Sequence, residues 1–127
     1  MAANETVRSD GAPAPIGPYS QAIRSGKTLY CSGQIALDPT SGALIDGDVA
    51  AQTEQAMKNL GAVLRAAGFD YDDIVKTSIF LIDMNDFAAV NEVYGRYVDA
   101  AKPARSTVAV AALPRGARVE IDCIARK

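Results

Sequence analysis

The chain has 127 residues, 49% of them hydrophobic, which fits one compact domain over 1–127 with a modest core and leaves no length for a second. A formal net charge of -2 and a pI near 5.0 leave no basic stripe for a phosphate backbone, so nucleic acid is a poor partner. The absence of histidine removes Ser-His-Asp triads, Cys-His pairs and histidine metal sites together.

Cys31 and Cys123 are far apart in sequence, in no metal-ligand spacing and behind no apolar leader. They read as reduced core thiols in a cytoplasmic setting, with no metal and no membrane partner. Residues 1–15, rich in Ala, Ser, Asn and Pro, read as a loosely held tail to which no chemistry is assigned. Gly17-Pro18-Tyr19 ends it, and Ser20–Ser25 with Lys27–Gln34 reads as a hairpin around Gly26 that brings Tyr19 near Ser32. By residue type alone Tyr19 is a half-buried strand aromatic. Ser32-Gly33 reads as a strand ending in a bulge, although a glycine also lets a backbone N–H approach a ligand oxygen closely.

Asp48 is placed to cap a helix running to about Ala67, with Met57, Leu60, Val63, Leu64 and Ala67 as its core stripe. Gln55, Lys58, Asn59 and Arg65 fall on its polar side, and Gly68 supplies the stop. Ile74–Ile82 is dense in β-branched and aromatic residues and predicts a central strand buried on much of both faces. Asp83–Asn85 offers caps for a second helix with an apolar face of Met84, Phe87, Val90, Tyr94, Tyr97 and Val98, leaving Asn91 on its more polar side.

From Arg105 to Leu113 and again from Arg118 the residues alternate with period two, and Pro114–Ala117 carries turn chemistry, which predicts an antiparallel hairpin. One of its faces combines small residues with Arg105 and Glu120. A planar guanidinium suits bidentate capture of a carboxylate, and a carboxylate can place a water and move its protons. With Leu113 opposite Arg118, Glu120 lies opposite Ala111 and Arg105 falls six residues further on, ~20 Å away at ~3.3 Å per residue. That register predicts that a site using both draws them from different subunits.

The run PARSTVAVAALP followed by VEI resembles the signature of the Rid family (RidA, formerly YjgF). The resemblance continues through GPYSQA at 17–22, CSGQI at 31–35, DIVKT at 73–77 and NDFAAVNEVY at 85–94, and so covers nearly the whole chain. The elements read along the chain give the order β-β-α-β-α-β-β with a short extra strand near Leu44-Ile45, an α+β domain whose sheet packs on two helices, and the resemblance implies that it is chorismate-mutase-like and assembles as a homotrimer. Two helices cannot cover both faces of such a sheet, which argues independently for self-association.

The resemblance also implies hydrolysis of enamines and imines of the 2-aminoacrylate type to 2-keto acids and ammonia, with no cofactor. In that reading Arg105 holds the carboxylate and Glu120 places the water, while Tyr19, Ser32, Gly33, Thr107 and Asn91 line or support the pocket. A non-catalytic module binding small keto acids needs only Arg105 and is the second reading. An endoribonuclease or translation inhibitor is the third, and the acidic charge and missing histidine speak against it. Two departures bear on substrate preference: Thr107 stands where the family often has cysteine, and Lys102 ends a short segment where an aromatic residue often precedes Pro-Ala-Arg.

Overall fold

The computed structural model describes residues 3–127. Six strands, β1 (Glu5–Val7), β2 (Ala22–Ser25), β3 (Thr28–Gln34), β4 (Ile74–Leu81), β5 (Ala104–Ala109) and β6 (Val119–Arg126), form one sheet in the order β1-β2-β3-β6-β4-β5. Every neighbouring pair is antiparallel except β4 and β5, which run parallel because the helix α2 (Phe87–Val98) carries the chain back between them. With the helix α1 (Val49–Ala66) this is a mixed-sheet α+β domain.

Alternation decides which face is core. Leu29 and Cys31 on β3, Thr77, Ile79 and Leu81 on β4, and Val119, Ile121, Cys123 and Ala125 on β6 all point to the helix side and are buried. Met57, Leu60, Val63 and Leu64 of α1 and Val90, Tyr94 and Val98 of α2 cover them. Asp48 caps α1 as its spacing predicts, accepting from the Ala51 N–H, and Gly68 at φ 82° follows its end. Among the described residues, no helix covers the other sheet face. Tyr30 and Val108 are exposed there beside Phe80, Ile124 and Asp122, matching the argument that two helices leave one face over.

The expected hairpin between the last two strands does not form. β4 lies between β5 and β6, pairing with β5 on one edge and β6 on the other. Residues 110–118 cross the end of β4, where the Val110 N–H donates to Leu81 O at 2.7 Å and the Ile82 N–H to Arg118 O at 3.4 Å. A period of two fixes which residues share a face, and it says nothing about which strand becomes the neighbour.

Four smaller expectations also change. Glu5–Val7 joins the sheet edge and Ala12 is buried, so this part of the N-terminal segment is fastened and not loose. β4 is central but buried on one face only, with Val75 and Lys76 exposed. Asn59 leaves the polar side of α1 and is fully buried, donating from Nδ2 to Ile35 O at 3.2 Å and Leu37 O at 2.9 Å. Cys31 and Cys123, remote in sequence, keep their expected place as buried free thiols and turn out to be cross-strand partners. Near Leu44 there is an isolated bridge to Leu37 in place of a strand. Among the described residues no helix is long and apolar enough to cross a membrane.

Candidate functional site

Arg105 stands one residue inside β5, level with Thr77 of β4, and therefore faces α2. Residues 87, 91 and 94 of α2 are spaced by four and three, so Phe87, Asn91 and Tyr94 form one stripe on that helix. The stripe is where the guanidinium lands. Its Nη1 donates to Asn91 Oδ1 at 2.6 Å, and its central carbon lies over the Phe87 and Tyr94 rings, 5.4 Å from each centroid. Asn91 is neutral, and among the described residues Arg105 has no carboxylate partner. Its charge is therefore fixed in place without being neutralised. A groove of about 350 Å³ opens beside it, lined by Asn91, Tyr94, Gly95, Lys102 and Arg105. Thr107 follows on the same strand face, and its Oγ1 is buried without a hydrogen-bond partner.

Glu120 belongs to a different cavity. A cleft of about 560 Å³ is lined by Tyr19, Ser32, Gly33, Ile35, Arg115 and Glu120, and walled by Pro13, Ala14 and Ile16 of the N-terminal segment. β3 ends in an irregularity between Cys31 and Gln34, the bulge that Ser32-Gly33 suggested. The absent side chain at 33 has a steric purpose: a Cβ there would come within 2.7 Å of Glu120 Oε2 and 2.8 Å of its carboxyl carbon. The Glu120 carboxylate thus lies against the backbone of Gly33. Partial burial pushes its pKa above the ordinary glutamate range, and the neighbouring charge of Asp122 adds to the effect. No salt bridge among the described residues offsets it.

The other expected residues divide by role. Ser32 donates its hydroxyl to Ser20 O at 2.6 Å, so that group ties two segments together. Tyr19 stays 53% exposed at the cleft mouth, held by its N–H to Gly17 O at 2.9 Å. Tyr19, Ser32, Gly33 and Glu120 are brought together, and Arg105, Asn91 and Thr107 are brought together. The two groups do not meet within one chain. Arg105 is level with Thr77 and Cys123, and Glu120 with Phe80, an odd offset that puts them on opposite faces of the sheet. The hairpin distance of the sequence reading does not apply, because β4 separates their strands.

Two contributors escaped sequence reasoning. Gln21, buried just before β2, binds Ser9 through both ends of its amide and reaches Pro13 O at 2.9 Å, which holds the cleft wall in place. Arg115 sits at the cleft with φ 62° and donates from Nη2 to Gly42 O at 3.1 Å. Pro114-Arg115-Gly116 announced a turn, and nothing in its sequence announced a cleft. Among the described residues no group of three or more His, Cys, Asp or Glu side chains is arranged to hold a metal ion.

A family model described as endoribonuclease L-PSP matches residues 9–127. The structure of the Rid-family protein YyfA from Yersinia pestis aligns with a TM-score of 0.95 at 48% identity, covering 98% of this chain and 100% of the other. The chain belongs to the Rid family. Among its relatives, protein DfrA of Myxococcus xanthus is 56% identical over 125 residues, covering 97% of this chain and 95% of that one. A Mus musculus relative named 2-iminobutanoate/2-iminopropanoate deaminase is 53% identical over 121 residues, covering 95% and 90%. The same sheet presents Arg105 to α2 and Glu120 to the uncovered side.

Proposed function

We propose that the chain is a hydrolytic imine deaminase whose working unit is a homotrimer, with each site built from Arg105 of one subunit and Glu120 of the next. The observation that carries this reading is a guanidinium held in a fixed seat with no counter-charge, while the half-buried carboxylate it needs faces the opposite side of the sheet. A second copy packing on the uncovered face would bring the two together and would cover Tyr30 and Val108. The mouse relative's name supports the imine as substrate class.

The chemistry follows from those groups. Arg105 clamps the carboxylate of an imine such as 2-iminopropanoate, or of the enamine after its carbon is protonated. A water held by Glu120 bonds to the imine carbon as its proton passes to the carboxylate, and the nitrogen, taking a proton from solvent, becomes the amino group of a carbinolamine. Glu120 returns its proton to that nitrogen, ammonia leaves, and the hydroxyl becomes the carbonyl of the keto acid as its proton goes to solvent. A raised pKa suits a group that must both take and give a proton. Substrate would also supply a partner for the orphaned Thr107 hydroxyl.

Consumption of 2-aminoacrylate generated enzymatically in the same vessel, with matching release of ammonia, tests the reaction, and light scattering tests the assembly. A parental protein that leaves the imine's lifetime unchanged overturns the deaminase reading. In that case the Arg105 groove, complete within one chain, supports a module that only binds small carboxylates.

A further inference from the structure

Thr77 and Arg105 are register partners on adjacent parallel strands, both facing α2. Tyr94 touches both of them. Its hydroxyl lies 2.7 Å from Thr77 Oγ1, and its ring lies under the guanidinium carbon at 5.4 Å from the centroid. One aromatic side chain therefore links a residue in the middle of the buried sheet face to the cation that the site depends on.

The polar pair is what needs explaining. Thr77 is 0% exposed and Tyr94 4%, in a core otherwise built mainly from apolar side chains, with the Cys123 thiol as Thr77's register partner on the other side. A valine at 77 and a phenylalanine at 94 would fill the same volumes without desolvating two hydroxyls, so the core gains nothing from them that apolar residues would not supply. What the pair does supply is direction. A phenylalanine ring can slide or tilt within its slot, whereas a phenol tethered to Thr77 has a fixed height and plane. Burial pushes the Tyr94 phenol's pKa up, so it stays neutral and available to this bond.

We propose that Thr77 and Tyr94 are positioning residues for Arg105: their hydroxyl pair locks the ring, and the ring, with Phe87 and the Asn91 amide, sets the plane in which the guanidinium presents its remaining N–H donors. A planar fork captures a carboxylate bidentately only in the right plane, and a fork already held loses little freedom on binding. The lock acts on ground state and transition state alike, so it belongs to binding more than to the chemical step.

The inference rests on the deaminase reading, and the test separates the two. In the full chain, Thr77→Val, Tyr94→Phe and the double variant are compared for 2-iminopropanoate turnover, for binding of 2-oxobutanoate by calorimetry, and for melting temperature. Each single variant is expected to raise KM and weaken 2-oxobutanoate binding by about three- to tenfold, with kcat little changed and some loss of melting temperature from the orphaned hydroxyl. The double variant, with no orphan left, recovers the melting temperature and keeps the raised KM and weakened binding. Single variants with parental KM and affinity, or a double variant in which affinity recovers along with melting temperature, overturn the lock. If the parental chain binds 2-oxobutanoate without hydrolysing the imine, the deaminase reading alone fails, and the affinities across the variants still decide. A parental chain that neither hydrolyses the imine nor binds the keto acid overturns both.

Discussion

Arg105 and Glu120 point to opposite sides of the same sheet, on two strands that share β4 as their common neighbour. Spacing along and across the sheet puts their Cα atoms about 14 Å apart, from about three residue rises and about two strand separations. The side chains then diverge from there. A small substrate held by both must lie between two copies.

Subunit mixing reads this out. Arg105→Ala and Glu120→Ala chains are each expected to be inactive alone. After exchange at equal amounts, about a quarter of the sites should carry both intact residues if, as proposed, each site takes Arg105 from one subunit and Glu120 from the next in a head-to-tail ring. Activity that stays at the single-variant level once exchange is shown by mass labelling would place both residues in one subunit's site.

Arg105→Lys keeps the charge and gives up the fork. The ammonium loses the planar contact with Phe87 and Tyr94 and the paired donors, so turnover at low substrate should fall by about ten- to a hundredfold. Because Arg105 is exposed, the melting temperature should hardly move. Parental kcat/KM in the lysine variant would mean that charge alone suffices.

Gly33→Ala tests the contact behind Glu120. Residue 33 is not among the positive-φ glycines, so alanine strains no backbone there, yet its methyl would occupy the space of the carboxyl group. The expected result is a folded protein with a displaced carboxylate and turnover reduced by about tenfold or more, the scale of a misplaced proton-transfer group. Unchanged turnover would show that Glu120 has room to work elsewhere.

The Glu120 pKa carries a sign for stability and another for activity. Its folded pKa is raised, so the ionised form is less comfortable in the folded chain than in the unfolded one. Stability therefore drops as pH rises from the ordinary glutamate pKa through the folded one. Glu120→Gln should be the more stable protein at neutral pH, and the difference should vanish in acid where Glu120 is neutral in both states. Activity runs the other way: with the carboxylate as the proposed base, the acid limb of kcat should fall off above the ordinary glutamate range. Melting curves and rate profiles between pH 4 and 8, on the usual carboxylate scale, check both signs.

The parts of the fold legible in the sequence are those whose signals are local. The Asp48 cap, the Gly68 stop and the turn at Gly26 each depend on a few adjacent residues, and α1 and the first hairpin stand where those residues put them. Partner choice among strands is not local. Arg105 through Ala109 and Val119 through Arg126 carry the right alternation, but the decision to insert β4 between them lies with α2, whose return path makes β5 parallel to β4. The prediction that one chain cannot join Arg105 to Glu120 thus agreed with the structure for a reason it did not contain. Asn59 and Gln21 were invisible for a related cause: a buried amide is recognised by the carbonyls it meets, and those come from Ile35, Leu37, Ser9 and Pro13 on other segments.

The amide of Gln21 has a kinetic meaning beyond its bonds. β1 is a three-residue edge strand of largely exposed side chains, so residues 3–15 are joined to the rest chiefly by that strand's ladder, by buried Ala12 and by one glutamine. Such a unit is expected to open before the rest of the fold, with its amides exchanging with solvent together and early in a hydrogen-exchange measurement. Since Pro13, Ala14 and Ile16 wall the cleft, each opening also dissolves the pocket around Glu120. The lifetime of that N-terminal clasp therefore sets how long the cleft holds its shape.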